Sequence, residues 1–204
     1  MKTPVIIILN GPSSSGKSSI AENIQKTAAV TYANIGCDFF FGSFKDSNME
    51  RFERSHQNTI EEINRGYYRV LRSFAEHGNT NVVGDTVFQY NATFHDCVNT
   101  FKDANAFLIG VRCNLASLQK REAERQDRLI GIAQFQHERV HLHGVYDHEV
   151  DTTNITSEEC ARSILAYVEN NKPAAFRKLV GTGDFAERFY IHPRIAVTQR
   201  ECKS

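Results

Sequence analysis

The sequence predicts a single α/β domain with a mostly parallel sheet of five strands and helices on both of its faces. Three observations lead to this prediction. The uninterrupted apolar run Val5-Ile6-Ile7-Ile8-Leu9 is typical of a strand that is buried on both faces. A glycine-rich turn and a helical pattern follow it directly. Further short apolar runs then alternate with helical patterns, which indicates parallel strands joined by crossover helices.

The other predicted elements follow in chain order. Periodic apolar residues predict a first helix that starts near Lys17 and a long amphipathic helix that runs from Met49 to Phe74. Thr156 and Glu159 form the pattern of a capping box, which marks the start of another helix. A helix near Thr93–Phe101 and one that starts after Asn114 complete the helices, and the remaining strands are predicted at residues 30–37, 81–85, 106–111 and 150–152.

The composition limits the classes of partner. The chain has 24 basic and 24 acidic residues and a pI near 7.1, so no basic excess indicates a nucleic acid partner. The apolar run near the start is too short for a signal peptide or a membrane span, and we expect a cytoplasmic protein without a membrane partner. Five cysteines without a C-x-x-C pair favour reduced thiols over disulfides or a metal site.

The turn after the first strand carries the phosphate-binding loop motif G-x-x-x-x-G-K-[ST], from Gly11 to Ser18. A strand, a glycine-rich turn and a helix start direct successive backbone N–H groups at one anion. We therefore expect a nucleoside triphosphate here, with Lys17 reaching the outer phosphates and the Ser18 hydroxyl binding Mg²⁺. The residues of this loop that are predicted to bind the nucleotide are Gly11, Pro12, Ser13, Ser14, Ser15, Gly16, Lys17, Ser18 and Ser19.

Two aspartates that follow predicted strands are expected beside this loop, because ligands of parallel sheets bind at the carboxyl ends of the strands. Asp38 precedes three phenylalanines, which predicts a partly apolar acceptor pocket where this carboxylate takes a proton during phosphoryl transfer. Asp85 follows two valines and resembles a Walker B aspartate that holds Mg²⁺ through water. Either aspartate could instead cap the end of its strand.

Three arginines predict a basic lid. Arg121, Arg125 and Arg128 are spaced by four and three residues, so they share one face of a helix. A lid at about 121–146 would close over the phosphates and exclude water, with Arg125 and Arg128 binding the nucleotide and Arg128 contributing to catalysis. The same arginines could instead form a solvated face with the acidic residues between them.

One motif points to a different chemistry. His137 and His141 complete the pattern H-E-x-x-H of zinc proteases. Gly144 and Tyr146 interrupt the helix that such a site requires, and the segment lies where the lid is expected. We therefore expect these histidines to be polar contacts of the lid or of the substrate.

Several segments together resemble the chloramphenicol phosphotransferase family of small P-loop kinases. The most specific part runs from Arg125 to Ala161. The segments are I-I-L-N-G-P-S-S-S-G-K-S-S at 7–19, G-C-D at 36–38, D-T-V-F at 85–88, G-V-R-C at 110–113, R-Q-D-R-x-x-G-x-A-x-x-Q at 125–136, V-H-x-x-x-x-Y-D-x-E-V-D-T at 140–152 and S-x-E-C-A at 157–161.

This resemblance implies an ATP- and Mg²⁺-dependent kinase domain at residues 1–171 that phosphorylates a hydroxyl of a small molecule, followed by an appendage at 172–204. It implies that Asp38 is the base and that Arg125 and Arg128 belong to the lid. Thr86 departs from the family pattern, so the acceptor stays open between an antibiotic-like compound, with a role in antibiotic resistance, and a metabolite. The residues expected to contact it are Asp38, Phe39, Phe41, Phe88 and Gln136.

Two other functions stay open at this point. The acceptor of such a kinase could be a nucleoside or a nucleotide sugar, as in the wider nucleotide-kinase and zeta-toxin-like groups. A non-catalytic ATP-binding switch would carry the same loop, although the sequence has no N-K-x-D motif for reading guanine.

Overall fold

The computed structural model describes residues 3–42, 56–124 and 131–180 of the chain. Within them, five strands form one sheet in the order β2-β3-β1-β4-β5, and every neighbouring pair is parallel. This confirms the predicted α/β class. The strands are β1 (Ile6–Asn10), β2 (Tyr32–Ile35), β3 (Asn81–Thr86), β4 (Ala106–Arg112) and β5 (His148–Asp151).

Helices cover both faces of the sheet, as the alternation of patterns predicted. The described helices are α1 (Lys17–Thr27), α2 (Cys37–Gly42), α3 (His56–Glu76), α4 (Asn91–Phe101), α5 (Leu115–Glu124), α6 (Ile132–His137), α7 (Ser157–Asn170) and α8 (Ala175–Val180). Alternate residues of β1 point to opposite faces, so Ile6 and Ile8 pack against α3, α4 and α8 while Ile7 and Leu9 pack against α1 and α7.

Three predicted helix starts agree with the structure, whereas the predicted start of the long helix at Met49 lies outside the described residues. Helix α1 begins at Lys17, directly after the glycine-rich turn. Thr156 and Glu159 form the full capping box of α7, with each side chain bonded to the backbone N–H of the other residue. The Asn114 side chain accepts the N–H of Ser117 at 2.7 Å and so caps α5.

Predictions for three elements differ from the structure. Strand β5 spans His148–Asp151, whereas residues 150–152 were predicted. Strand β2 ends at Ile35 and not at Cys37, because the chain turns at Gly36 and α2 begins at Cys37. Asp38 therefore lies in the first turn of a helix and not at a strand end. The buried face of α3 runs through Ile60, Ile63, Tyr67, Leu71 and Ala75, whereas the predicted end of its apolar face, Phe74, is 47% exposed.

The first part of the predicted appendage packs on the domain. Helix α8 buries Phe176, whose ring contacts that of Phe101 with centroids 5.4 Å apart. The Asp147 carboxylate accepts the N–H groups of Ala174 and Ala175 at 2.7 and 2.9 Å, which fixes the start of α8. The appendage from residue 181 onward lies outside the described residues.

Two further observations bear on the class of protein. Of the five cysteines, Cys37, Cys97, Cys113 and Cys160 are buried free thiols, as predicted for core positions. No helix in the described part of the chain has the length and hydropathy needed to cross a bilayer.

Candidate active site

The phosphate loop, residues 11–18, joins β1 to α1 and has the backbone geometry of an anion-binding turn. Ser14 and Gly16 both adopt left-handed conformations, with φ of 63° and 89°. Alternation of right- and left-handed residues turns successive N–H groups toward one point, which forms a concave site for an anion. Gly11 cannot be replaced by a larger residue here, since a Cβ would lie 2.5 Å from the carbonyl oxygen of Val111.

The side chains of Lys17 and Thr152 hold carbonyl groups of the loop. The Lys17 ammonium donates to the carbonyl oxygens of Gly11 and Pro12, each at 2.8 Å. The Thr152 hydroxyl donates to the carbonyl oxygen of Ser15 at 2.9 Å. Three carbonyl groups of the loop are therefore paired with side chains, which restrains the backbone of the loop.

The phosphate loop lies on the floor of a cleft of about 770 Å³. Since β1 is the central strand, the loops after β2 and β3 form one side of the cleft and those after β4 and β5 form the other. We call them the β3 side and the β5 side. The β3 side contains Cys37, Asp38, Phe41, Ile60, Asn64, Asp85, Val87 and Gln89, and the β5 side contains Arg121, Glu124, Thr152, Ile155, Thr156 and Ser157. Helix α6 adds Ile132 and Gln136 to the wall, with Gln136 next to Gln89.

Asp85 lies on the β3 side and is held by its neighbours. One carboxylate oxygen accepts the backbone N–H of Cys37 at 2.9 Å, and the Asp85 N–H donates to the Tyr67 hydroxyl at 2.9 Å. Tyr67 in turn donates to the Ile35 carbonyl at 2.8 Å, so the ends of β2 and β3 are fixed to each other. Burial, together with the negative charge of Asp85, raises the pKa of the Cys37 thiol, which keeps this cysteine protonated.

Asp38 also lines the cleft, from the first turn of α2. Of the aromatic residues predicted to surround an acceptor, Phe41 lines the cleft as well. Phe39 is 76% exposed and is not part of the cleft wall. The prediction for Phe88 is wrong, because its side chain is fully buried and packs edge-on against the rings of Phe94 and His143.

Gln136 lies in the cleft wall, but its polar atoms contact the protein. Its side-chain oxygen accepts the backbone N–H of Ser13 at 2.6 Å, and its nitrogen donates to the side-chain oxygen of Gln89 at 2.8 Å. Gln136 is only 7% exposed. This residue was predicted to contact an acceptor, whereas the structure connects it to the phosphate loop.

The histidines of the H-E-x-x-H pattern do not form a helical metal-binding pair. Helix α6 ends at His137, and His141 lies in the following turn with its Nδ1 at 2.6 Å from the Tyr146 hydroxyl. Burial is the main cause that lowers the pKa of His141 to about 3 and that of His143 to about 4. No cluster of three potential metal-binding side chains occurs among the residues that the structure describes.

His141 and His143 belong to a hydrogen-bonded network around the Tyr146 hydroxyl, at 2.6 and 2.9 Å, so both are engaged with the protein. The Asn10 side chain, at the end of β1, donates to the Val140 carbonyl at 2.8 Å and to the Tyr146 hydroxyl at 2.6 Å. Its oxygen accepts the N–H of Phe88 at 3.1 Å. The last part of the predicted lid, from residue 140 to 146, is therefore anchored to the central strand.

Of the three predicted lid arginines, the structure describes Arg121. Arg121 lies on the β5 side of the cleft and bonds to Thr152 and the phosphate loop. Arg125 and Arg128 lie outside the described residues, so their contacts with a nucleotide stay a prediction. Glu122, only 2% exposed, accepts the N–H groups of Gly131 and Ala133 at 2.8 Å each and so joins α5 to the start of α6.

The residues at the loop fit a phosphate chain with its metal ion. The buried Ser14 hydroxyl has no hydrogen-bond partner among the described residues, and Ser14 is one of the two left-handed residues of the loop. The exposed Ser18 hydroxyl and the Asp85 carboxylate both line the same cleft. Hydroxyl and carboxylate oxygens are the ligands that Mg²⁺ prefers.

Sequence reasoning did not identify Asn64 and Gln89 as cleft residues. Asn64 follows Ile60 by four residues on the apolar face of α3, and a polar residue on such a face is a signal that could have been used. Gln89 lies just beyond the end of β3, at the sheet edge where ligands bind. The bond between Gln136 and Ser13 joins residues 123 positions apart and has no local signal.

Comparison with solved structures shows the fold. The domain is similar to the APS kinase of Mycobacterium tuberculosis in complex with AMPPNP and APS, with a TM-score of 0.61, 17% identity, and coverage of 83% of this chain and 100% of that one. It is also similar to shikimate kinase from Acinetobacter baumannii, with a TM-score of 0.62, 13% identity, and coverage of 83% and 95%. These likenesses identify the fold as that of P-loop kinases.

Comparison of sequences shows the family. A Mycobacterium tuberculosis protein named "Putative O-phosphotransferase" is 27% identical over 196 residues, which cover 85% of this chain and 87% of that protein. The family model described as chloramphenicol phosphotransferase-like protein matches residues 4–169, nearly the whole described domain. The chain is therefore a kinase with a P-loop fold, and it belongs to the chloramphenicol phosphotransferase-like family.

Proposed function

We propose that this protein transfers the γ-phosphate of ATP to a hydroxyl group of a small-molecule acceptor that binds on the β3 side of the cleft. The observation that carries the proposal is that Asp38 and the phosphate loop line the same cleft of about 770 Å³. A volume of this size is enough for a nucleotide and a small acceptor to bind together.

The nucleotide is proposed to lie across the floor and the β5 side. Its phosphates would accept hydrogen bonds from N–H groups of the phosphate loop. They would also pair with the buried Lys17 ammonium of that loop. The adenine base of the nucleotide would lie between Arg121 and Ile155, both in the wall of the β5 side. Arg125 and Arg128 are proposed to complete the contacts with the phosphates from the lid.

Ser18 and Asp85 would hold Mg²⁺, with Asp85 acting through water. A bound Mg²⁺ neutralises charge that develops on the phosphate oxygens during transfer. The bond from the Cys37 N–H to one oxygen of Asp85 fixes the direction of the carboxylate. Oriented carboxylates of this kind tune metal sites through their hydrogen bonds.

Asp38 is proposed as the base. The acceptor hydroxyl gives its proton to the Asp38 carboxylate, its oxygen forms a bond to the γ-phosphorus, and the bond from that phosphorus to the β,γ-bridging oxygen breaks to release ADP. Phe41 and Ile60 provide apolar contacts for the acceptor beside Asp38, while Asn64 and Gln89 provide polar ones. Such a pocket suits an antibiotic-like alcohol such as chloramphenicol and also metabolites with apolar and polar parts.

An acceptor screen with γ-labelled ATP and Mg²⁺ tests this proposal. The panel contains chloramphenicol, nucleosides, nucleotide sugars and simple sugar alcohols, and the readout is a labelled product. Asp38→Asn is expected to abolish transfer while leaving the affinity for ATP near that of the wild type. Asp96→Asn, which changes a carboxylate paired with Arg65 away from the cleft, is the matched control.

The outcomes separate the alternatives. Transfer only to nucleosides or nucleotide sugars would assign the protein to the second kinase type. Binding of ATP without a product from any acceptor would favour a switch. Full transfer by Asp38→Asn would remove Asp38 from the role of base.

A further inference from the structure

One buried side chain joins the two parts of the cleft that a kinase must coordinate. Gln136 accepts the N–H of Ser13 in the phosphate loop at 2.6 Å and donates to the side-chain oxygen of Gln89 at 2.8 Å. Ser13 belongs to the proposed phosphate site, whereas Gln89 lies on the β3 side, three residues after the end of β3. A single carboxamide therefore bridges the proposed nucleotide and acceptor sites.

The bond between Gln136 and Ser13 is buried and therefore costly to break. Gln136 is 7% exposed and Ser13 is 2% exposed, so a lost hydrogen bond could not be replaced by water without rearrangement. Helix α6, which carries Gln136, is held at its start by the Glu122 carboxylate through the N–H groups of Gly131 and Ala133. A shift of Ser13 must therefore be followed by Gln136 or must break a buried hydrogen bond.

We propose that Gln136 is a positioning residue that transmits nucleotide binding from the phosphate loop to Gln89 on the acceptor side. The proposal rests on the function proposed above, since it requires that a nucleotide binds at the loop. Nucleotide binding changes the position of the Ser13 N–H, Gln136 follows it, and the Gln89 side chain moves with Gln136. The acceptor pocket then takes its final shape only when the phosphate loop is occupied.

Amide NMR of the ¹⁵N-labelled full chain tests this coupling without an acceptor. The probe is Mg²⁺ with AMP-PNP, a nucleotide that is not consumed. In the wild type, the amide signals of the phosphate loop and the side-chain amide signals of Gln89 are both expected to shift. In Gln136→Met, which keeps the length of the side chain and removes both hydrogen bonds, the loop signals shift and the response of Gln89 is lost.

One further variant sharpens the experiment. Gln134→Met is the matched control, because Gln134 is an exposed glutamine on the same helix and bonds to the surface residue Gln119. It is expected to keep the full response of Gln89.

The outcomes distinguish the two proposals. If AMP-PNP shifts no signal of the phosphate loop in the wild type, the proposed function fails and the coupling fails with it. If the loop responds but Gln89 stays unchanged in the wild type, or responds equally in Gln136→Met, the coupling alone is overturned. Should Gln136→Met not fold, Gln89→Leu breaks the distal bond instead. The backbone signal of Val87, whose carbonyl accepts the Gln89 N–H at 2.8 Å, is expected to shift in the wild type and to lose this response in Gln89→Leu. A retained response would overturn the coupling.

Discussion

Arg121 bonds to Thr152 through both terminal nitrogens of its guanidinium group, at 2.6 Å to the carbonyl oxygen and at 3.0 Å to the hydroxyl oxygen. The Thr152 hydroxyl donates a hydrogen bond to the Ser15 carbonyl in the phosphate loop. Helix α5 and the end of β5 thus hold the loop from outside. Arg121, which was predicted to be part of the basic lid, is therefore bonded to the protein itself.

Replacing Thr152 by Val is expected to loosen the phosphate loop. Valine keeps the shape of the side chain and removes the hydroxyl, so the Ser15 carbonyl loses a buried partner at a cost of about 1 kcal/mol in the free energy of unfolding. The affinity for ATP should fall as well, because the loop N–H groups are less well directed. Denaturant unfolding and calorimetric titration measure the two effects. Thr27→Val removes an exposed hydroxyl from α1 and should change neither, and equal effects of the two variants would contradict this role.

Replacing Lys17 by Ala is expected to weaken nucleotide binding and to stop transfer. The change removes a buried ammonium that bonds to two loop carbonyls and lies beside the proposed phosphates. Hydrogen bonds to charged groups contribute about 1.5–3 kcal/mol, so the dissociation constant for ATP should rise by about 10- to 100-fold. Titration calorimetry checks this value. Lys26→Ala, in the last turn of the same helix and exposed, is the control, and unchanged ATP binding by Lys17→Ala would count against the phosphate loop as the nucleotide site.

Replacing Asp85 by Asn is expected to raise the Mg²⁺ concentration that half-saturates the enzyme by about 10- to 100-fold. The asparagine oxygen can still accept the Cys37 N–H, so the local backbone should be preserved while the negative charge is lost. Activity as a function of Mg²⁺ and direct Mn²⁺ binding to the ATP complex provide two separate measurements. Asp103→Asn, on the surface beside Arg72, serves as the control. An unchanged metal dependence would exclude Asp85 from the Mg²⁺ site.

His143 should contribute, together with His141, to a fall in the stability of the domain in mildly acidic solution. Burial lowers its pKa in the folded state from 6.5 to about 4, so the unfolded chain binds a proton first as the pH falls. This contribution is fully present above pH 6.5 and is lost progressively as the pH falls toward about 4.

Unfolding by urea between pH 7 and pH 4.5 measures the slope of the free energy of unfolding against pH. His143→Gln is expected to be less stable at pH 7 and to depend less on pH, whereas His77→Gln, which changes an exposed histidine, should keep the slope of the wild type. An unchanged slope in His143→Gln would show that other groups cause the acid dependence.

Local patterns were enough to locate the phosphate loop and the main elements. The loop motif and the strand before it lie within 14 consecutive residues, from Val5 to Ser18, and their chemistry depends on backbone geometry that the same residues determine. The capping box of Thr156 and Glu159 is equally local, and the structure shows both of its hydrogen bonds. Asp38 and Asp85 were expected near the loop from the general rule for parallel sheets, and both line the cleft.

Other features depended on contacts between distant segments. Phe88 lies near Asp85 in sequence, yet its side chain points into the core, because the direction of a residue after a strand is decided by the elements that pack there. His141 was expected to be a polar contact of the lid or of the substrate, whereas the structure places it and His143 against Tyr146, with Asn10 beside them. No periodicity in the sequence encodes these partners.

The sequence by itself therefore determined an α/β domain of P-loop type with a phosphate-binding turn and two nearby carboxylates. Only the tertiary structure decided that Gln136 contacts the loop, that Arg121 holds Thr152, and which phenylalanine lines the cleft. The physical reason is the separation in sequence between the residues that interact. Helix and turn signals act between residues a few positions apart, whereas the walls of the cleft form when the strand order β2-β3-β1-β4-β5 brings segments more than 100 residues apart into contact.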